Sequence, residues 1–251
     1  MKSYGDNFMQ HVGQSLKAVF LDHAMCGEVD LTPLKKVLSH WQFFSLSTHA
    51  EAIQRAQDAD IIVNCKVQID SELIQSTKSL KLVCVTATGF DNVDASSLQS
   101  RNIALCNVAA YSTESVVQHV FSLLLALKTK LIQYHQAVQN GAWQKSQTTT
   151  LFTYPIEELY GKTLGIIGFG NIGQRVSEVA KTFGMSVIIA EHPHTQRPRA
   201  GRTPFQKFLS SADVITIHCP LNEKTRNLIN TPAFNLMKPS ALLINTARGG
   251  I

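Results

Sequence analysis

Two successive α/β halves, each built on a parallel sheet, are the architecture this sequence predicts, and three observations predict it. From Lys17 onward, short apolar runs alternate with amphipathic segments, the pattern of a parallel sheet with helices over both faces. A glycine-rich turn, Gly168-Phe169-Gly170-Asn171-Ile172-Gly173, joins a β-branched run to a helix-like segment in the second half only. Between the halves lies a mostly apolar segment, Val116 to Leu127.

The first half offers five candidate strands: Ala18-Leu21, Trp41-Leu46, Asp60-Asn64, Lys81-Thr86 and Ile103-Cys106. Between them fall amphipathic segments such as Thr48-Gln57, Ser71-Thr77 and Asp94-Gln99. No glycine-rich phosphate loop occurs here, so this half is not a second dinucleotide site. One long helix is then expected from Ser112 towards Asn140-Gly141, with Ser112 as N-cap, Glu114 in the first turn and Gly141 as the stop. Its middle is apolar on nearly every side, so it should be buried on more than one face, between domains or between subunits.

The second half has four candidate strands, Leu164-Ile167, Ser186-Ala190, Val214-His218 and Ala241-Asn245. In the spatial order 3-2-1-4-5-6 these would be the first four. The first ends in G-x-G-x-x-G, a helix-like segment Gln174-Phe183 follows, and the second ends at Glu191, eighteen residues after Gly173. Each part has a physical task in holding a dinucleotide. Gly168 permits the tight turn, Gly170 lets backbone approach a pyrophosphate, and Gly173 lets helix and strand pack closely. The helix N-terminus offers N–H groups and a partial positive charge to phosphate. Glu191 would accept hydrogen bonds from the adenosine ribose and repel a 2′-phosphate, which favours NAD over NADP. The neighbouring His192, His194 and Arg197 would still tolerate NADP.

Composition narrows the class. The chain has 251 residues, 44% hydrophobic and 16% charged, enough for a substantial core and outside the disordered range. Net charge is +5, with Arg197, Arg199, Arg202 and Lys207 clustered. The cluster lacks interleaved aromatics and any nucleic-acid motif, so it reads as a solvated face or an attraction for the adenosine side of a cofactor. The five cysteines are scattered and never spaced C-x-x-C, which suits buried thiols in a reducing compartment rather than disulfides or a metal site. Met1 to Ser15 is polar, without a signal-peptide core, and the apolar run Val120-Leu127 is too short to span a bilayer. A cytoplasmic protein with no membrane or nucleic-acid partner is expected.

Several stretches together resemble the D-isomer-specific 2-hydroxyacid dehydrogenases. They are Ala87 to Asp94, Tyr111 to His119, Gly161 to Gly173, His218-Cys219-Pro220-Leu221 with Thr225 and Leu228-Ile229, and Met237-Lys238-Pro239 leading to Asn245-Thr246-Ala247-Arg248-Gly249. The similarity runs from Lys17 to Ile251, and Lys66-Val67, the Ala-Thr-Gly stretch and Ala190-Glu191 look most like the glycerate dehydrogenase (hydroxypyruvate reductase) branch. It implies two Rossmann-like domains: a flavodoxin-like substrate-binding domain over residues 1–108 and a doubly wound NAD-binding domain over 109–251. A homodimer formed through the NAD-binding domain and the long helix is the expected assembly.

The resemblance also implies roles. Arg248 would be catalytic, and the chemistry agrees: a planar guanidinium can clamp the carboxylate of a 2-keto acid and polarise its carbonyl. Thr88 and Gly89 match a loop whose N–H groups hold the substrate carboxylate; a simple turn is the competing reading. Lys66 matches a residue near the substrate entrance, or is a solvated lysine. Asn171 and Ile172 match the pair facing the pyrophosphate. His218, Cys219 and Pro220 match the loop flanking adenosine, with Thr225 nearby. Thr246 and Ala247 match residues beside the nicotinamide ribose. Val116 matches a contact to the nicotinamide ring, and a core valine is the alternative.

Reduction of a carbonyl needs a proton donor. In the family it is a histidine supported by a glutamate, both after the arginine motif, and none of the nine histidines here matches it. The expectation is therefore a domain truncated after its fourth strand, from a protein about 60 to 80 residues longer. Such a chain would show little turnover, since loss of the donor alone costs roughly 10²–10⁴ in rate. The leading expectation is an NAD-dependent reductase of a small 2-keto acid, hydroxypyruvate to D-glycerate in type. The alternatives are a non-catalytic dinucleotide-binding protein on the same fold and an inactive truncated product.

Overall fold

The computed structural model describes residues 16–193, 195 and 197–251. Met1 to Ser15 and His194, both weighed above, lie outside the described residues. The chain divides after Tyr111 into two compact units, three residues beyond the boundary expected at 108.

The first unit alternates strands β1 (Lys17–Phe20), β2 (His40–Phe43), β3 (Ile61–Asn64), β4 (Leu82–Val85) and β5 (Ala104–Asn107) with helices. These are α1 (Thr32–Val37), α2 (His49–Ala56), α3 (Ser71–Ser76) and α4 (Ala95–Ser100), and a 3₁₀ turn covers His23–Cys26. All pairings are parallel, in the order β2-β1-β3-β4-β5. Three of these helices, α2, α3 and α4, start where short polar side chains cap them. Thr48 and Glu51 form a reciprocal capping box on α2, Asp70 accepts from Leu73 N, and Asp94 accepts from Ser97 N. Val19, Ile62, Val83, Leu73 and Leu98 then meet in one core. The β-branched strands supply one side of it and the helix faces the other.

The second unit begins with α5 (Thr113–Thr129), α6 (Leu131–Gln139) and α7 (Ala142–Lys145). It continues through β6 (Thr163–Ile167), α8 (Asn171–Thr182), β7 (Ser186–Ile189), α9 (Phe205–Ser211), β8 (Val214–Ile217), α10 (Thr231–Leu236) and β9 (Leu242–Asn245). The expected single helix is two helices that meet at 58°. Lys130 breaks it by adopting the left-handed conformation, φ 55°. Nor does Ser112 cap α5 through its side chain. Among the described residues no single helix is long and apolar enough to cross a membrane, although the bent pair α5–α6 would qualify by length and composition alone.

The parallel sheet runs β7-β6-β8-β9, which corrects the expected order. In the sheet's own numbering the strands stand 2-1-3-4, not 3-2-1-4. The position outside β7 is held by one bridge, Ala190 to Thr203, within the segment between β7 and α9. That segment and α9 carry the chain back across the sheet, so β8 pairs with β6 on its free edge. Leu164, Ile166, Val176, Val214 and Ile244 pack beneath α5 and α8 on one face. Ile215, Phe208, Leu209 and Ala233 form the core of the other.

Candidate functional site

In the second unit the strand order reverses between β6 and β8, and a parallel sheet opens a ligand crevice outside the carboxyl ends of its strands at such a reversal. The glycine turn occupies that point. Gly168 has φ 92°, and a Cβ on it would stand 2.5 Å from the amide nitrogen of Cys219. The turn is therefore pressed against the segment after β8, where His218 N donates to Ile167 O at 2.7 Å. A Cβ on Gly173 would overlap the Gly168 carbonyl oxygen, so α8 can start this close to β6 only through a glycine. Gly170 differs: nothing lies within 4 Å of where its Cβ would be, and no side chain caps α8. An open backbone at the start of a twelve-residue helix suits an anion, so the residues present fit a dinucleotide's pyrophosphate. Asn171 and Ile172 form the first turn, with Ile172 also packed on the core.

Beside the turn lies a cavity of about 310 Å³, bordered by Gly168, Phe169, Glu191, Arg199, Cys219 and Thr225. Glu191 follows β7 as expected, but its carboxylate is not bare. Oε1 accepts from Arg199 Nη2 at 2.7 Å and His192 N at 2.8 Å, while Oε2 accepts from Arg199 Nε at 2.9 Å and Arg199 N at 3.0 Å. The Arg199 guanidinium and these amides hold the carboxyl far below the usual carboxylate range. A carboxylate has about four acceptor positions, and here all are used. In this arrangement Arg199 and His192 hold the carboxylate that is expected to meet the ribose hydroxyls. In the sequence Arg199 reads as one of a basic cluster, a solvated face or an attraction for the adenosine side of a cofactor, and no local spacing rule pairs residues 191 and 199.

His218 sits at the end of β8 with Nε2 2.9 Å from Thr216 Oγ1 and Nδ1 3.4 Å from Thr246 Oγ1. Burial pushes its pKa down to about 4, so the ring is neutral at pH 7. Burial likewise raises the Cys219 thiol. Only Cys65 is fully buried, however, and Cys106 is exposed, which corrects the expectation of buried thiols, because strand ends at a sheet edge or rim stay open to solvent. Thr225 is buried, and its hydroxyl donates to Pro220 O at 2.6 Å while accepting from Asn222 N at 2.8 Å. That hydroxyl closes the loop after Cys219.

After β9, Thr246, Ala247 and Arg248 form a turn organised by Asn245, a residue not singled out from the sequence. Its Oδ1 accepts from Ala247 N at 3.0 Å and its Nδ2 donates to Arg248 O at 2.8 Å. The signal was available, because asparagine two residues before a turn amide is a local turn former. Arg248 Nη1 donates to Ala247 O at 3.0 Å. Val116, in the first turn of α5, packs against the same core as Ile172.

In the first unit the reversal lies between β1 and β3. There the buried Asp22 carboxylate accepts from the amides of Cys65 (2.7 Å), Lys66 (2.6 Å) and Val67 (3.0 Å). The Lys66 backbone is thereby fixed while its side chain is exposed. No local rule in the sequence marks Asp22, because its partners are more than forty residues away. Thr88 Oγ1 donates to Val108 O at 2.8 Å, and Asn107 Nδ2 donates to Thr88 O at 2.7 Å. These bonds fix the loop that leads into Gly89.

Comparison with known proteins shows the family. The sequence profile of the D-isomer specific 2-hydroxyacid dehydrogenase NAD binding domain matches residues 121–251. A Haemophilus influenzae protein assigned to the 2-hydroxyacid dehydrogenases is 38% identical over 234 residues, 93% of this chain and 74% of that protein. A glycerate dehydrogenase of Methylorubrum extorquens is 35% identical over 237 residues, 94% of this chain and 73% of that one. Among solved structures, an acyclic imino acid reductase in complex with NADPH and D-Arg superposes with a TM-score of 0.82 at 29% identity, over 94% of this chain and 75% of that one. A nicotinamide cofactor follows from the matched domain. The chain belongs to the D-isomer specific 2-hydroxyacid dehydrogenases.

Proposed function

We propose that this chain serves the NAD(H)-linked interconversion of a small 2-keto acid and its D-2-hydroxy acid, of the hydroxypyruvate and glycerate class. The observation that carries the reading is the position of Arg248. It follows β9, at the carboxyl end of the same parallel sheet whose reversal holds Gly168, Gly170 and Gly173. A nicotinamide bound there supplies or accepts the hydride. Arg248 would hold the substrate carboxylate and polarise the carbonyl, a task for which a planar, permanently charged fork is suited. In the first unit, the Thr88–Gly89 loop and Lys66 are the substrate-binding residues that the family resemblance implies, through N–H groups and positive charge for a carboxylate. The amides of Asn171 and Ile172 would meet the pyrophosphate. His218, Cys219, Pro220 and Thr225 would flank adenosine, Thr246 and Ala247 the nicotinamide ribose, and Val116 the nicotinamide ring.

We further infer a homodimer through the second unit, since Leu123, Leu127, Leu131 and Ile132 of α5 and α6 are exposed in the single chain. A cytoplasmic setting is inferred from the scattered thiols.

The test is fluorescence titration with NADH, followed by a panel of hydroxypyruvate, glyoxylate, pyruvate and phosphohydroxypyruvate read by loss of NADH absorbance. NADH binding is the expected result, with hydroxypyruvate giving the fastest turnover of the panel at whatever rate remains without the family's proton donor. Arg248→Gln should lower kcat/KM by on the order of 10²–10³ and leave the NADH Kd within about twofold. A chain that binds no NADH would overturn the reading.

A further inference from the structure

Arg199 has no part in the reaction above, yet it makes three of the four hydrogen bonds that fill the Glu191 carboxylate. An acid at the end of the second strand ordinarily selects the unphosphorylated cofactor in two ways. It accepts from the ribose 2′-hydroxyl, and its charge repels a 2′-phosphate. Neither is available to Glu191 in this arrangement. Its side chain is 2% exposed, its acceptor positions are taken, and a guanidinium nitrogen lies 2.7 Å from Oε1.

The charge that does face outward is positive. The Arg199 side chain is 68% exposed and borders the same cavity as Glu191 and Arg202. Arg202 lies with its guanidinium carbon 5.4 Å from the centre of the Phe169 ring. The cavity is therefore bordered by two guanidinium groups and one neutralised acid, a setting that can accept a phosphate.

We propose that the Glu191–Arg199 pair sets cofactor choice, with Arg199 cancelling the acid's exclusion of a 2′-phosphate so that NADPH binds alongside NADH. The inference rests on the dinucleotide reading of the glycine turn. The competing view is that Arg199 only pins the segment between β7 and α9, in which case its loss should affect both cofactors equally.

The measurement is the Kd of the full chain for NADH and for NADPH, by fluorescence titration, with displacement by adenosine 2′,5′-bisphosphate against 5′-AMP. Wild type should bind NADPH within about tenfold of NADH. Arg199→Gln should weaken NADPH about tenfold or more relative to NADH, because the acid's charge is then uncovered. Glu191→Gln keeps the shape, frees the guanidinium and should shift the ratio towards NADPH, and it decides the matter if Arg199→Gln fails to fold by circular dichroism. NADH binding with an unchanged ratio in both variants overturns the proposal alone. So does a wild-type preference for NADH above about a hundredfold. Binding of neither cofactor overturns it together with the dinucleotide reading.

Discussion

Gly168, Gly170 and Gly173 are read as one motif, but each is glycine for its own reason. Gly168 combines φ 92° with backbone pressed against Cys219, and Gly173 leaves no room beneath the Gly168 carbonyl oxygen. Gly170 faces open space at φ −82°, so a side chain there strains nothing in the chain itself. A methyl group separates these roles. Gly173→Ala should destabilise the protein by about 1–3 kcal/mol through overpacking. Gly170→Ala should stay within about 0.5 kcal/mol of wild type and still weaken NADH, because the methyl occupies the approach to the pyrophosphate. Urea denaturation beside NADH titration checks both. Equal destabilisation by the two changes would contradict this division of labour. The motif letters were legible in the sequence; which glycine answers to the fold and which to the ligand was not, since that depends on what stands opposite each.

At the scale of the element, the informative departure is the break between α5 and α6. Apolar periodicity runs through Lys130 without interruption, and lysine is an ordinary helix former, so nothing local announces a left-handed residue. Tertiary contacts explain it. Lys128 is buried with Nζ 3.0 Å from Glu157 Oε2, and Glu157 N returns a bond to Lys128 O at 3.1 Å. One turn into α6, the Tyr134 hydroxyl donates towards the carbonyls of Leu151 (3.1 Å) and Tyr154 (2.8 Å) and accepts from Tyr154 N at 3.2 Å. The loop over residues 151–157 thus holds both sides of the junction and fixes the bend between them. A left-handed conformation costs a side-chain-bearing residue about 1–2 kcal/mol, part of which glycine recovers. Lys130→Gly should therefore stabilise the chain by about 0.5–1 kcal/mol, while Lys130→Ala should not, as read from urea midpoints. A loss of stability with glycine would mean that the lysine side chain, not the backbone, supports the junction.

On the scale of the whole molecule, each of the two units has its own parallel sheet, with one buried cluster in the first and one on each face of the sheet in the second. Acid should act on the second through His218. Burial lowers its pKa to about 4 from an ordinary 6.5, so between those values the unfolded chain holds a proton that the folded chain does not. Stability is then complete above about pH 6.5 and falls as pH drops towards 4, by up to about 3 kcal/mol. His218→Gln should flatten that slope in urea midpoints taken across the window. A slope unchanged in the variant would assign the acid sensitivity to other groups.

The sequence by itself determined the two α/β halves, the strands to within a residue or two at most ends, the glycine turn, Glu191 as the acid after the second strand, and Arg248 beyond the last. These are legible because they rest on local rules: periodicity, glycine spacing and turn formers act between residues close in the chain. Only the tertiary structure decided that β8 pairs with β6, that the long helix bends at Lys130, and that Asp22 fixes the amides after β3. It also decided that Arg199 covers Glu191. The physical reason is the same each time: a hydrogen bond or a packed contact with a residue distant in sequence leaves no periodic trace in either partner.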